Sequence, residues 1–250
     1  MAAERAPRVF SLDQCADQYV IALAPRSTIV GVSPRVGAWD SYLRKQADGL
    51  PRRRATSESV LASQAQLVVS NWGGDARLDE ALRRHQIAVV RIMGTDTFAG
   101  VRANIRLVAQ ALGQSPRGEA LIRGMDAQLA AAAGRWKGQG ALYLTPGGFT
   151  SGDGTLIDAI LQGAGLSNAA PGHGFRAVPL ERLVMHPPSG VVLGFFDGPA
   201  AGTQWGPGHE PVLRAVTNGR TLDSLPASVL GCPAWFAGDA VQSLASRAPQ

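Results

Sequence analysis

The residues able to do chemistry in this 250-residue chain are scattered rather than clustered. His85, His173, His186 and His209 show no close metal-ligand spacing. No phosphate-cradling GxxxxGK(S/T) loop and no HExxH helix occurs. Ser151 sits in Gly148-Phe149-Thr150-Ser151-Gly152, whose spacing differs from the GxSxG nucleophile elbow. Gly152-Asp153-Gly154 precedes an expected helix, but Ile157 stands where a dinucleotide fingerprint needs its third glycine. The pattern favours binding over bond-making. A doubly wound α/β enzyme acting on a small ligand, with a site assembled from scattered residues, is the alternative.

Three loops carry the binding signal, each after an expected strand, where open α/β sheets take their ligands. They are Ser11 to Cys15, Asn71 to Asp75 and Thr145 to Thr155. Trp72 and Phe149 stand beside glycines in the second and third, which suits a large, flat, partly apolar ligand. Both could instead plug a core. Arg35 and Trp39 in the loop after the second strand, and Phe175 and Arg176 later, are further candidates, Arg176 as a partner for a carboxylate or phosphate. Trp205, within Gly202 to Pro207, either lines the site or packs its own loop. Trp235 and Phe236 open the terminal helix and read as core.

The elements that must position these loops alternate. Arg8–Leu12, Thr28–Val32, Leu67–Ser70 and Ile87–Val90 read as strands. Helices are expected from Asp13, Asp40 to Ala47, Thr56 or Ser57, and Leu78. The rhythm breaks at two successive helices, Phe98–Leu112 and Arg117–Ala133, with Gly113 and Ser115-Pro116 between them. It resumes with strands at Ala141–Leu144, Gly190–Leu193 and Thr221–Leu225, and helices at Thr155–Leu161, from Pro179, Glu210–Val216 and Ala234–Ala245. This predicts two Rossmann-like α/β lobes with parallel sheets, residues 1–114 and 137–250, joined by one long backbone helix over 115–136.

Composition agrees. With 45% hydrophobic and 17% charged residues, a packed core is expected and disorder is not. Apolar runs such as Val191–Phe196 are too short to span a bilayer. The net charge of +5 has its densest stretch at Pro51-Arg52-Arg53-Arg54, without interleaved aromatics, and reads as a solvated loop, not a nucleic-acid surface. The first seven residues lack the apolar core of a signal peptide, so they mark either a cytoplasmic protein or a start near the mature end. Cys15 and Cys232, each at a loop-to-helix junction, form either a bridge or two separate buried thiols.

The order of motifs resembles a family. Arg8 to Asp17 followed by Ile29-Val30-Gly31-Val32-Ser33 is similar to the start of ABC-importer substrate-binding proteins for iron-siderophores and cobalamin, the class III group with a helical backbone. Ser59-Val60-Leu61 before Leu67-Val68-Val69, Trp72-Gly73-Gly74, Phe149-Thr150-Ser151-Gly152 and Val178-Pro179-Leu180-Glu181 fit in order and spacing, over nearly the whole chain. The resemblance implies a monomeric, non-enzymatic periplasmic protein whose signal peptide has been removed. It implies a metal chelate (iron-siderophore, corrinoid or haem) held in the interlobe cleft, with no cofactor. Trp72, Phe149, Trp39, Arg35, Phe175, Arg176 and Trp205 would be its contacts and His173 a possible axial ligand. It departs from cobalamin-binding members at Gly174-Phe175-Arg176-Ala177, where they present a tryptophan. Its partner would be an ABC permease dimer with its ATPase, reading Glu181 on the second lobe and Asp75, or in reserve Glu80, on the first.

Overall fold

A computed structural model describes residues 6–71, 75–178, 180–199, 211, 213, 215 and 218–249. The chain divides into two compact units, residues 1–94 with 99–123, and residues 95–98 with 124–250.

In the first unit, four strands form a parallel sheet of order β2-β1-β3-β4: β1 Val9–Ser11, β2 Ile29–Gly31, β3 Leu67–Ser70 and β4 Ala88–Arg91. The strands are short and β-branched, and β1 and β3 are wholly buried, as a sheet covered on both faces requires. Between them run α1 Gln14–Leu23, α2 Ser57–Ala62 and α3 Ala76–Arg84; α4 Phe98–Ala111 and the long α5 Ser115–Ala132 follow. Asp13, Thr56 and Asp75 cap the first three with side-chain oxygens that accept from Ala16, Ser59 and Arg77 backbone N–H groups. Phe10, Val68, Val60, Leu78 and Leu82 close the core between sheet and helices. Gly113 turns the chain between α4 and α5 at φ +67, a conformation that side chains disfavour.

The second unit begins within α5, between Arg123 and Gly124. Its parallel sheet runs β10-β9-β5-β7, from β5 Gly140–Leu144, β7 Ser167–Asn168, β9 Val191–Gly194 and β10 Thr221–Leu225. A separate antiparallel ribbon pairs β6 Phe149–Ser151 with β8 Phe175–Ala177. The helices are α6 Leu156–Gly163, α7 Leu180–Met185, α8 Ala227–Leu230 and α9 Ala237–Ser246. Leu142, Leu144, Val178, Leu183 and Val191 form the core. The later half of α5 is tied to α9 by Gln128, whose amide donates to Asp239 at 2.6 Å. The Trp136 indole N–H donates to the Leu244 carbonyl. Phe236 is buried and packs edge-on against Trp235.

Three expectations change. Residues 40–47 form successive turns, not a helix. The Leu43 N–H that would bond the Trp39 carbonyl goes instead to Gln18 Oε1, and the Trp39 carbonyl accepts from Arg44. The glycine-rich stretch after β5 contains a strand, because β8 supplies it with a partner. The basic run is partly structured: Arg52 bridges Val32 beside β2, and Arg53 Nε donates to the Val30 carbonyl. The helix expected at Glu210–Val216 lies mostly outside the described residues. No helix among the described residues is long and apolar enough to cross a membrane.

Tyr143 in β5 tests the packing. Its hydroxyl is buried without a partner among the described residues, and burial raises its pKa. A Cβ at Gly194 would overlap that side chain. Tyr143→Phe should leave stability unchanged or raise it by up to about 1 kcal/mol, whereas Gly194→Ala should cost about 1–3 kcal/mol. Urea denaturation checks both. A marked loss in Tyr143→Phe would mean that the hydroxyl has a partner.

Candidate functional site

The carboxyl ends of the first unit's strands form a rim whose loops are organised by α1. Asp13, besides capping α1, accepts the Asn71 N–H on its other oxygen at 2.7 Å, tying the loop after β3 to the loop after β1. One turn on, the fully buried Asp17 accepts both the backbone N–H of Ser33, at 2.9 Å, and its hydroxyl, at 2.5 Å. Gln18 donates to Ser41 Oγ and accepts the Leu43 N–H. Gln14 accepts from Arg35 Nε, and Arg35 also pairs with Asp40 at 2.8 Å. Tyr19 bonds Asn104 of α4, whose amide grips both backbone groups of Met93, just past β4. Polar side chains of α1 and its cap thus reach the loops after β2 and β3 directly, and the loop after β4 through Asn104.

Arg35 and Trp39 therefore stand on a braced loop, and both remain exposed. Trp72 lies outside the described residues, as does Trp205. Met93 escaped the sequence reading. It is 65% exposed, more than any other large apolar side chain described in this unit. The available signal was Asn104, a polar residue between Val101 and Ile105 on the apolar face of α4.

In the second unit the rim is the β6–β8 ribbon. The register sets Phe149 opposite Ala177 and Phe175 opposite Ser151, so the two phenylalanines share one face, where they are 50% and 64% exposed. What anchors the ribbon is the rest of Phe149-Thr150-Ser151-Gly152. Ser151 Oγ donates to Thr155 Oγ1, which caps α6 and donates to the Gly152 carbonyl. Asn168 donates to the Ser151 carbonyl and to Asp158. Gly152 approaches the Gly172 carbonyl so closely that a Cβ would overlap it. Of these four motif residues only Phe149 is exposed; Thr150 and Ser151 are buried and brace it.

Arg176 folds back on its own turn, donating to the His173 carbonyl at 2.6 Å and lying over Gly172. His173 is exposed and pairs through its backbone with Asp153. Among the described residues no three His, Cys, Asp or Glu side chains gather as a metal site. A cavity of about 440 Å³ in the first unit lies at the amino ends of the strands, between Pro7, Gln66 and the α4–α5 turn, away from the rim.

The acids expected to dock differ in occupation. Glu181 is exposed in the first turn of α7. Asp75 is exposed and caps α3. Glu80 is engaged by Arg83 and Arg84 in its own helix, and the Arg83 hydrogen bonds hold its pKa below the usual value. Neither cysteine is a free thiol; both are disulfide-bonded.

Burial pushes the Asp17 carboxyl up to about 6 from 3.8, opposed by hydrogen bonds from Ser33 and Ser11 and assisted by the Asp13 charge. A carboxyl whose folded pKa lies above its unfolded one holds its proton more tightly when folded. Its stabilising contribution is full below about 4 and is lost as pH rises through about 6. Two units correspond to about 3 kcal/mol. Urea denaturation from pH 4 to 7 should show Asp17→Asn gaining on wild type by up to that amount as pH rises. Parallel profiles would show that Asp17 carries no such shift.

Residues 9–192 match the sequence model of the periplasmic binding proteins. No curated protein sequence matches the chain. Several solved structures share its fold, three of them as follows. A periplasmic haem-binding protein of Vibrio cholerae superposes with a TM-score of 0.78 at 18% identity, over 96% of this chain and 98% of that one. A periplasmic vitamin B12-binding protein of the same organism gives 0.65 at 20% identity, over 97% and 96%. A protein of an ABC-type ferric hydroxamate transport system from Saccharomonospora viridis gives 0.68 at 19%, over 97% and 93%.

Proposed function

This chain belongs to the periplasmic binding protein family, and from that premise we propose that it captures a metal chelate and delivers it to an ABC permease dimer with its ATPase. The family consists of substrate-binding transport proteins, not enzymes, and works in the periplasm or another extracytoplasmic compartment. The observation that carries the ligand class is the exposed Phe149–Phe175 face on a ribbon anchored at its Ser151 end to the α6 cap. Two aromatic rings held out of a core suit a broad apolar surface such as that of haem, a corrinoid or the organic shell of a siderophore. The haem, B12 and ferric hydroxamate specificities of the structural neighbours support the same class. Trp39 and Arg35 on the first rim would add a second aromatic contact and a cation, with Trp72 and Trp205 as further contacts.

The protein acts as a monomer in this reading, without a cofactor of its own. Both cysteines are disulfide-bonded, which suits an oxidising compartment. The permease reads Glu181 and Asp75 as exposed acids; Glu80, already engaged by two arginines, is the weaker candidate.

A thermal-shift and titration panel of haemin, cobalamin, cobinamide and a ferric trihydroxamate tests the ligand class. A true ligand at 100 times its Kd should add about 2.7 kcal/mol of stability. Phe149→Ala with Phe175→Ala should weaken binding at least tenfold, by about 1.4 kcal/mol or more. If no chelate in the panel binds, the reading fails. The double variant Glu181→Arg, Asp75→Arg should leave chelate affinity unchanged and abolish uptake through the cognate importer, with a larger defect at low salt. Normal uptake would show that docking uses other groups.

A further inference from the structure

Met93 is the point where the first rim presents an apolar side chain for which the core has no use. The thioether is 65% exposed just past the carboxyl end of β4, while the preceding Ile92 is buried. Yet its backbone is held at both ends. Asn104 Oδ1 accepts the Met93 N–H at 3.0 Å, and Asn104 Nδ2 donates to the Met93 carbonyl at 2.8 Å. The amide itself is buried and bonded to the Tyr19 hydroxyl, which lies in the core beside it. Asparagine is a poor helix residue relative to alanine. Here it occupies an apolar face, and with Tyr19 it spends two buried polar groups on one exposed methionine. Closing the end of β4 needs no particular side chain at position 93, so the clamp alone does not account for an exposed thioether.

We infer that Met93 is a ligand-contacting residue of the first rim, presented by Asn104, and that its thioether packs on the conjugated face of a planar macrocyclic chelate. The inference rests on the chelate-binding reading and narrows it. A thioether is polarisable and favours contact with an aromatic system, and an unbranched side chain adapts to a flat surface. The octahedral shell of a ferric trihydroxamate offers no such face. Asn104 is a positioning residue: it touches no ligand and acts by fixing the Met93 backbone.

The test uses the full chain titrated with haemin and, separately, with a ferric trihydroxamate. Met93→Ala should weaken haemin binding about tenfold and leave any trihydroxamate binding unchanged, with Met93→Leu in between. Asn104→Ala, accepted only if it melts cooperatively, should also weaken haemin binding. Combined with Met93→Ala it should add little further, because both changes remove one contact; Tyr19→Phe supplies the milder variant if Asn104→Ala does not fold. Haemin affinity unchanged in Met93→Ala but lost in Phe149→Ala would overturn the inference and leave the chelate reading standing. Wild-type protein that binds the trihydroxamate but not haemin would do the same. Protein that binds no chelate would overturn both.

Discussion

The first rim depends on one constraint: strand ends leave loop backbone groups without ladder partners, and α1 supplies those partners from its side chains. Asp13 takes the Asn71 N–H, Asp17 the Ser33 N–H and Gln18 the Leu43 N–H. Each such bond contributes only about 1 kcal/mol net, but leaving a buried donor unmatched costs about 1–3 kcal/mol. In this arrangement those three donors are met, and α1 with its cap residue Asp13 sets it. Asp17 shows what this arrangement costs, since its carboxylate is held in a dry site and its proton affinity rises accordingly.

The second unit reaches a rigid rim by different means. Its ribbon is anchored by a hydroxyl relay from Ser151 through Thr155 to the Gly152 carbonyl, and by backbone contact that only a glycine permits at position 152. Asn168 closes the arrangement by bonding both the Ser151 carbonyl and Asp158. Small polar residues and glycine do the bracing, which frees the phenylalanines to face solvent. Preorganised aromatic and cationic contacts bind with less ordering cost than mobile ones.

The same logic separates structural from functional polarity along the chain. Arg176 looked available for an anionic ligand, yet its guanidinium already serves the His173 turn. Arg35 has two partners, and they hold its guanidinium in place while leaving it largely in solvent. Both arginines are exposed, and the difference lies in what their partners do: one set fastens a turn to itself, the other braces a loop against a helix.

Much of this was legible in the residues themselves. Strands and helices alternate because apolar runs of four or five residues alternate with helical periodicity, and caps such as Asp13 and Thr155 mark helix starts by short-range chemistry. The break in that rhythm at α4 and α5 was equally local, as was the motif order that led to the family. Tertiary structure decided the rest because it concerned groups far apart in sequence. The turns at 40–47 formed only because Gln18, some 25 positions away, took the Leu43 N–H. The strand in the glycine-rich stretch needed β8 as a partner. Met93 became a rim residue only through Asn104 and Tyr19. Periodicity and capping act over a few residues and are written in the sequence; the pairing of distant hydrogen-bonding groups is settled only when the chain has folded.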